Sequence, residues 1–290
     1  MTISVSVLGP STYSEEAAAW LLRRTDWKLV PCKTIADVFE ATTSGATSYS
    51  VVPVENTFEG SVSLHIDWLV YEVDLPIQAE WVYPIHVNLM SLPEFGGDLS
   101  AVRKVLSHQV AFAQCRRFLA EHLPQAELEA VGSTSEGARL LRERGDPSIV
   151  SIGPAAAAAR YDLNVLARAI QDHKNNFTRF VLAGKDPLPT LAPGGQAPDA
   201  HKTTLLLVPD EDTPGGLHQL LSAFAWRRLN LSKIESRPTK KQLGTYYFYV
   251  DVAASMDSVL LKGAIEEIRA VGCEVRVLGS YPTYGYNDKA

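Results

Sequence analysis

Apolar and polar positions change period repeatedly along the chain. The period moves between two, which suits a strand half-buried in a sheet, and about three and a half, which suits a helix. Residues 3–9 alternate in the strand manner and end at Gly9-Pro10. Thr12-x-x-Glu15 then has capping-box spacing ahead of a predicted helix over 17–22. The succession continues with strand 28–32, helix 35–41, strand 50–54, a helical stretch from Gly60 to about Tyr71, and strands 77–82 and 86–90. Next come strand 102–106, helix 108–123, strand 128–131, and a second capping box, Ser133-x-x-Glu136, before a helix ending near Gly145. Strand 149–152 follows, then a helix over 155–159 opened by Gly153-Pro154, and a strand at 179–183. Repeated βα units predict an α/β fold with mainly parallel sheets and ligand chemistry at the carboxyl ends of the strands.

From 186 to 200 the periodicity stops. Pro187, Pro189, Pro193 and Pro198 with Gly194-Gly195 predict an interdomain linker, bounded at 186–201. Beyond it lie strand 203–208, helix 214–228, strands 231–237 and 246–252, helix 257–271 stopped by Gly272, and strand 274–278. The order βαββαβ is ferredoxin-like, an antiparallel four-stranded sheet with both helices on one face.

Composition narrows the chemistry. The chain has 290 residues, enough for two domains, and 21% charged residues, ordinary for a globular protein. Its formal net charge of −6 leaves no basic stripe for nucleic acid, so no such partner is expected, and an anionic ligand must be held locally. Cys32, Cys115 and Cys273 are widely separated, and the histidines show no zinc-type pairing, so neither disulfide nor metal is expected. The apolar runs are strand-length and the N-terminus has no leader pattern; no membrane association and a cytoplasmic location are the expectations.

Four segments carry polar residues that packing alone does not explain. Pro53-Val54-Glu55-Asn56-Thr57-Phe58-Glu59-Gly60 puts a carboxylate and an amide at a strand's carboxyl end, where they either orient a polar ligand or cap the next helix. Ser107-His108 to Gln114 places Ser107 at a predicted N-cap, with Gln114 two turns on and back on nearly the same face. His108 reads as a first-turn helix residue. In Asn175-Asn176-Phe177-Thr178-Arg179-Phe180, strand alternation puts Thr178 and Phe180 on one face and Arg179 on the other. Asn230-Leu231-Ser232-Lys233-Ile234-Glu235-Ser236-Arg237-Pro238 reads alone as a charged edge strand ended by proline.

Taken in order, the segments resemble prephenate dehydratases over nearly the full length. The matches are Gly9-Pro10 with Thr12-Tyr13-Ser14, Val52 to Thr57 ending at Gly60, Ser107-His108 to Gln114, Thr178-Arg179-Phe180 and Glu235-Ser236-Arg237-Pro238. Two places depart from the family pattern. The first loop lacks one residue of Gly-Pro-x-Gly-Thr, and Gly215-Gly216-Leu217-His218 stands for Gly-Ala-Leu-Val.

The resemblance implies a two-lobed catalytic domain of the type II periplasmic-binding-protein kind over 1–185. Lobe one would hold 1–77 and 169–185, lobe two 78–168, and an amino-acid-sensing ACT domain 202–290. It implies a hydro-lyase that converts prephenate to phenylpyruvate without a cofactor, with arogenate dehydratase or a non-catalytic amino-acid sensor as alternatives. Thr178 would donate to the leaving hydroxyl and Arg179 pair with a carboxylate. Glu55, Ser107 and Gln114 would complete the catalytic set, with Thr12, Tyr13, Ser14, Asn56, Thr57, Asn176 and Phe180 binding substrate. Gly215, Gly216, Leu217, Asn230, Glu235, Ser236 and Arg237 would hold L-phenylalanine as effector, in a homodimer or homotetramer built through the ACT domains.

Overall fold

The structure, a computed structural model, describes residues 3–23, 26–188, 197–210, 213–240 and 245–286. Pro193 and Gly194-Gly195 of the expected linker lie outside the described residues.

The catalytic half is two α/β lobes. The first sheet runs β2(Trp27–Cys32), β1(Ile3–Leu8), β3(Tyr49–Asn56), β11(Phe177–Ala183), β5(Ile77–Pro84), with β1 parallel to both β2 and β3 and β11 antiparallel to its neighbours. The second runs β8(Glu127–Ala130), β7(Lys104–Ser107), β9(Ile149–Gly153), β6(Asn88–Ser91), β10(Asn164–Ala167). Both lobes share one plan, a parallel trio flanked by two strands, one of them antiparallel to the trio where the chain crosses between lobes. The helices are α1(Tyr13–Leu22), α2(Ile35–Thr43) and the short α3(Ser63–Asp67), which follows the two-residue strand β4(Gly60–Ser61) paired with β3, in the first lobe, and α4(Gln109–Gln114), α5(Arg116–His122), α6(Thr134–Arg144) and α7(Ala155–Arg160) in the second.

Two boundaries differ from the sequence reading. Residues 78–84, assigned to the second lobe, belong to the first sheet. Alternate residues Ile77, Ala79 and Trp81 are buried in its cores while the β5 backbone pairs with β11, so the chain crosses at about residue 85. The single helix expected over 108–123 is two, broken at Cys115, whose backbone leaves helical geometry at φ −119, ψ 23.

The C-terminal half has the expected order: β12(Ala200–Pro209), α8(Gly216–Ala225), β13(Leu231–Pro238), β14(Tyr246–Val252), α9(Val259–Ala270), β15(Cys273–Tyr284). Both helices cover one face of its sheet through Leu220, Phe224, Leu261, Ile265 and Ile268. The other face is not left to solvent. Leu206, Tyr247, Tyr249, Leu278 and Tyr281 join one buried core with Phe39, Val52, Ile66 and Leu69 of the first lobe. β15 also pairs with β5 at Thr283–Glu80 and Tyr284–Trp81, so the two sheets are continuous. Gly279 permits that approach, because a Cβ there would sit 2.3 Å from the Ile77 carbonyl oxygen.

Candidate active site

Between the lobes lies a cleft of about 350 Å³. The first lobe supplies Thr12, Tyr13 and Ser14 at the start of α1, Asn56 and Glu59 beyond β3, and Thr178 and Phe180 of β11. The second supplies His108 and Gln114 of the α4 region, with Ser133 and Thr134 at the start of α6. Among the described residues no lysine or arginine lines the cleft. Backbone N–H groups at helix starts are there to meet an anion instead.

Helices α1 and α6 start at the cleft from opposite lobes. In α1, Thr12 accepts from the Glu15 N–H at 3.4 Å, and the Glu15 carboxylate turns back to the Ser11 N–H. In α6, Ser133 accepts from the Glu136 N–H at 3.0 Å, and the Glu136 carboxylate accepts from the Gly132 N–H at 2.9 Å. Each carboxylate thus reaches one residue further back than in the expected capping box. The next two N–H groups, of Tyr13 and Ser14 and of Thr134 and Ser135, have no helix carbonyl to meet. Two such helix starts make a binding place for carboxylates. The shortened first loop has its own geometry: Ser11 takes φ 60, in the left-handed region that favours glycine.

At the floor, three polar side chains converge. The Asn56 amide nitrogen lies 2.9 Å from Thr178 Oγ1, 2.9 Å from Asn176 Oδ1 and 3.1 Å from the Phe177 carbonyl oxygen. Its carbonyl oxygen accepts from the N–H groups of Phe58 and Glu59, at 2.9 and 3.1 Å, which fixes the amide's orientation. Because Asn56 donates to Thr178 Oγ1, the threonine's own proton is left to be given elsewhere. Asn176 donates in turn to Gln114 Oε1 at 3.1 Å, so one chain of hydrogen bonds runs from Thr178 across to the second lobe. Phe58 stacks on His173 beside it at 4.9 Å. The lobes also meet through Ser135 Oγ donating to the Pro10 carbonyl at 2.6 Å and the Ala156 N–H donating to Glu16 at 2.7 Å. Beneath the Asn56 loop, His65 Nδ1 bonds the Pro53 carbonyl oxygen at 2.7 Å, and burial lowers its pKa, so the ring is neutral and donates.

Several expected residues stand elsewhere. Ser107 is fully buried in β7 and donates to the Ile152 carbonyl at 2.7 Å; the N-cap is His108, which itself lines the cleft. Arg179 points away from the cleft, as strand alternation requires, into a buried cluster with Glu80 and Asp251. Glu55 follows it, 3.1 Å from Arg179 Nε and 3.1 Å from Lys233 Nζ. Thr57 is exposed, and its hydroxyl bonds the Phe177 carbonyl at 3.1 Å. Sequence reasoning missed Glu59, Ser133 and Thr134 as cleft residues. The capping box at Ser133-x-x-Glu136 was the available signal, since it marks a helix start at a strand's carboxyl end.

In the C-terminal half, Gly216 lines a recess of about 320 Å³ with Thr213, Gln219 and Gly272, and Ser236 lines another of about 240 Å³ with Thr245 and Phe248. Asp210 borders both. Leu217 is partly exposed at the start of α8, with Gly215 as its N-cap at φ 84, and Asn230 is exposed just before β13. Glu235 and Arg237 face the opposite way. Within one chain they grip the first lobe, Glu235 accepting from Ser61 at 2.5 Å and Arg237 donating to Asp67 at 2.6 Å and Ser63 at 3.0 Å. Their place beside Ser236 in sequence does not put them in its recess, because neighbours on a strand point to opposite faces.

Comparison with known proteins follows this division. The prephenate dehydratase family model matches residues 5–188 and the ACT domain model residues 206–270. The chain is 39% identical over 283 residues to the prephenate dehydratase of Bacillus subtilis, covering 97% of this chain and 99% of that one. Prephenate dehydratase from Arthrobacter aurescens, solved in complex with L-Phe, superposes with a TM-score of 0.84 at 33% identity, over 97% of this chain and 90% of that one. GqqA, described as a novel type of quorum-quenching acylase, superposes with a TM-score of 0.83 at 27% identity over 98% of each chain.

Proposed function

The chain belongs to the prephenate dehydratase family, and from that premise we propose how its cleft performs the decarboxylating dehydration of prephenate to phenylpyruvate, and how phenylalanine reaches it. Prephenate's ring is held short of aromaticity by a quaternary carbon bearing a carboxylate and by a hydroxyl opposite. The ring carboxylate leaves as carbon dioxide, its bonding pair makes the ring aromatic and expels hydroxide, and the hydroxide takes a proton from solvent to become water. The protein's task is to fix two carboxylates and to stabilise the departing oxygen.

The observation that carries this reading is Thr178 at the cleft floor, its oxygen already accepting from Asn56. That bond aims the threonine proton outward and makes it a hydrogen-bond donor to the leaving hydroxyl. A threonine is too weak an acid to transfer the proton alone, so it acts by stabilising the oxygen. The starts of α1 and α6 hold the carboxylates in place of a cation, with Tyr13, Ser14 and Thr134 providing N–H groups. Gln114 and Asn176 tie the lobes together behind the substrate, and Phe180 and Val87 give the ring an apolar wall. Arg179, Glu55 and Ser107 take no direct part. Thr178→Ala should lower kcat by roughly 10²–10³ with KM little changed; normal turnover would remove the assignment.

Acyl hydrolysis, the chemistry in GqqA's description, needs a nucleophile beside a base. Among the described residues no hydroxyl of the cleft is hydrogen-bonded to an imidazole, which favours the elimination. The family supports prephenate, with its keto side chain, over arogenate; among the described residues Glu59 is the single carboxylate lining the cleft that could meet arogenate's ammonium. Incubation with each substrate, with and without phenylalanine, and detection of phenylpyruvate or phenylalanine separates these readings from a sensor without activity.

For the effector, the recesses around Asp210 suit an amino acid. Asp210 would meet the ammonium, and the N–H groups of Leu217 and His218, early in α8, the carboxylate. One edge of the ten-stranded sheet is β13, whose Ile234 is exposed. A second copy joining there would give the homodimer, or a homotetramer, expected through the ACT domains.

A further inference from the structure

One main-chain step separates the cleft from the regulatory half. Thr178 faces the cleft, and the next residue, Arg179, faces the buried seam between the first lobe and the C-terminal sheet. Its Nη1 donates to Glu80 of β5 at 2.9 Å and to Asp251 of β14. Asp251 is fully buried and also accepts from Thr204 Oγ1 of β12 at 2.7 Å. Glu80 is gripped from the regulatory side by Lys202 at 2.5 Å and by the Tyr281 hydroxyl at 3.4 Å. Glu55 bridges Arg179 to Lys233 of β13. Every carboxylate at Arg179 is therefore contributed or held by the regulatory half.

The hold is unusually concentrated. Arg179 Nε and Nη2 are buried with no hydrogen-bond partner; Nε lies near Glu55 but off the hydrogen-bonding direction. Among the described residues Nη1 makes all of the guanidinium's hydrogen bonds, and Nε adds the ion pair to Glu55. Burial by itself would lower the Arg179 pKa, but the Asp251 and Glu80 carboxylates hold it well above its ordinary value, so the charge is permanent. The pairing of β11 with β3 also slips by one residue directly after Arg179, between Arg179 and Phe180. The extra residue is Val54 of β3, so the bulge bends β3 and interrupts the ladder that holds β11 beside Arg179, one residue from Thr178.

We propose that Asp251 is a positioning residue of the regulatory domain, which sets Thr178 against the leaving hydroxyl by holding Arg179. This rests on the reading of Thr178 given above. Without Asp251, Arg179 is drawn toward Glu80 and Glu55, and β11 shifts with it at the slip. Thr178 then loses its alignment with a departing oxygen, a displacement to which rate is far more sensitive than affinity. The same contact gives the regulatory sheet a direct mechanical path to the reacting bond.

A double-mutant cycle tests this. Asp251→Asn keeps the shape and the acceptor for Thr204 while removing the charge; it should lower kcat about tenfold and leave KM within about twofold. In a Thr178→Ala background the same change should have almost no further effect, because the group it positions is gone. A purely structural role would instead reduce kcat by the same factor in both backgrounds, and that result, an unchanged kcat, or a loss confined to KM would overturn the proposal. Normal turnover in Thr178→Ala alone would remove the leaving-group role and this proposal with it. Should Asp251→Asn not fold, Glu80→Gln at the other Nη1 partner carries the same cycle and the same criteria.

Discussion

At the residue scale, the difference between Ser107 and Thr178 decides what each can do. Ser107 is a hydroxyl at the carboxyl end of β7 and Thr178 one at the amino end of the antiparallel β11, and both belong to segments that resemble the family. Thr178 has a donor on its oxygen and an open side toward the cleft, whereas Ser107 spends its proton on the Ile152 carbonyl and has no exposed surface. Ser107→Ala should therefore leave kcat and KM within about twofold while lowering stability by about 1–3 kcal/mol, the cost of an unsatisfied buried carbonyl. Steady-state kinetics with a denaturant melt on the same preparation checks both halves; a hundredfold loss of kcat would return Ser107 to the reacting group. Sequence spacing could not separate the two. The partner of Ser107 is 45 residues away on another strand, and only the fold brings it near.

At the element scale, local signals were reliable where each element is specified by its own residues. The capping residues Thr12 and Ser133, the strand alternation that turns Arg179 away from Thr178, and the βαββαβ order all follow from short-range pattern. Helix 108–123 failed because periodicity does not register the backbone break at Cys115. β5 was placed in the wrong lobe because its alternation states that one face is buried and not which core buries it. Its neighbour β15 depends on one close approach. With the Ile77 carbonyl oxygen 2.3 Å from where a Gly279 Cβ would stand, and the Ile77 nitrogen at 2.9 Å, the added methyl meets backbone that cannot rotate aside. Gly279→Ala should destabilise the protein by about 1–3 kcal/mol, read as a lower midpoint in chemical denaturation. An unchanged midpoint would mean that the β15–β5 junction yields freely, and that the sheets are joined less firmly than their pairing implies.

At the scale of the whole molecule, the C-terminal sheet covers the catalytic lobe, sharing a core with it and continuing its sheet. The shared core joins the halves by hydrophobic burial, while a rim of ion pairs fixes their register. Arg237 binds Asp67 and Glu235, Lys240 reaches Asp67 at 2.6 Å, and Lys233 bridges Glu55 and Glu235. The pairs that cross between the halves were not legible in sequence, because they join residues far apart whose types are ordinary for a solvated surface. The rim makes the junction sensitive to acid. Burial would raise the Asp67 and Glu235 carboxyls, but for Asp67 the bonds from Lys240 and Arg237, and for Glu235 those from Ser61 and Arg237, hold them below their ordinary values of 3.8 and 4.5. A carboxyl depressed on folding adds stability that is complete above the ordinary value and is lost as pH falls through the lower folded one. The thermal midpoint should therefore decline progressively below about pH 4.5. In Arg237→Met both carboxyls lose a cation and return toward their ordinary values. That variant should start from a lower midpoint near neutrality and show a shallower acid decline, because less charge-dependent stability remains to be lost. Equal acid slopes in the two proteins would mean that the rim contributes register without stability, and that the shared apolar core alone holds the regulatory sheet against the catalytic lobe.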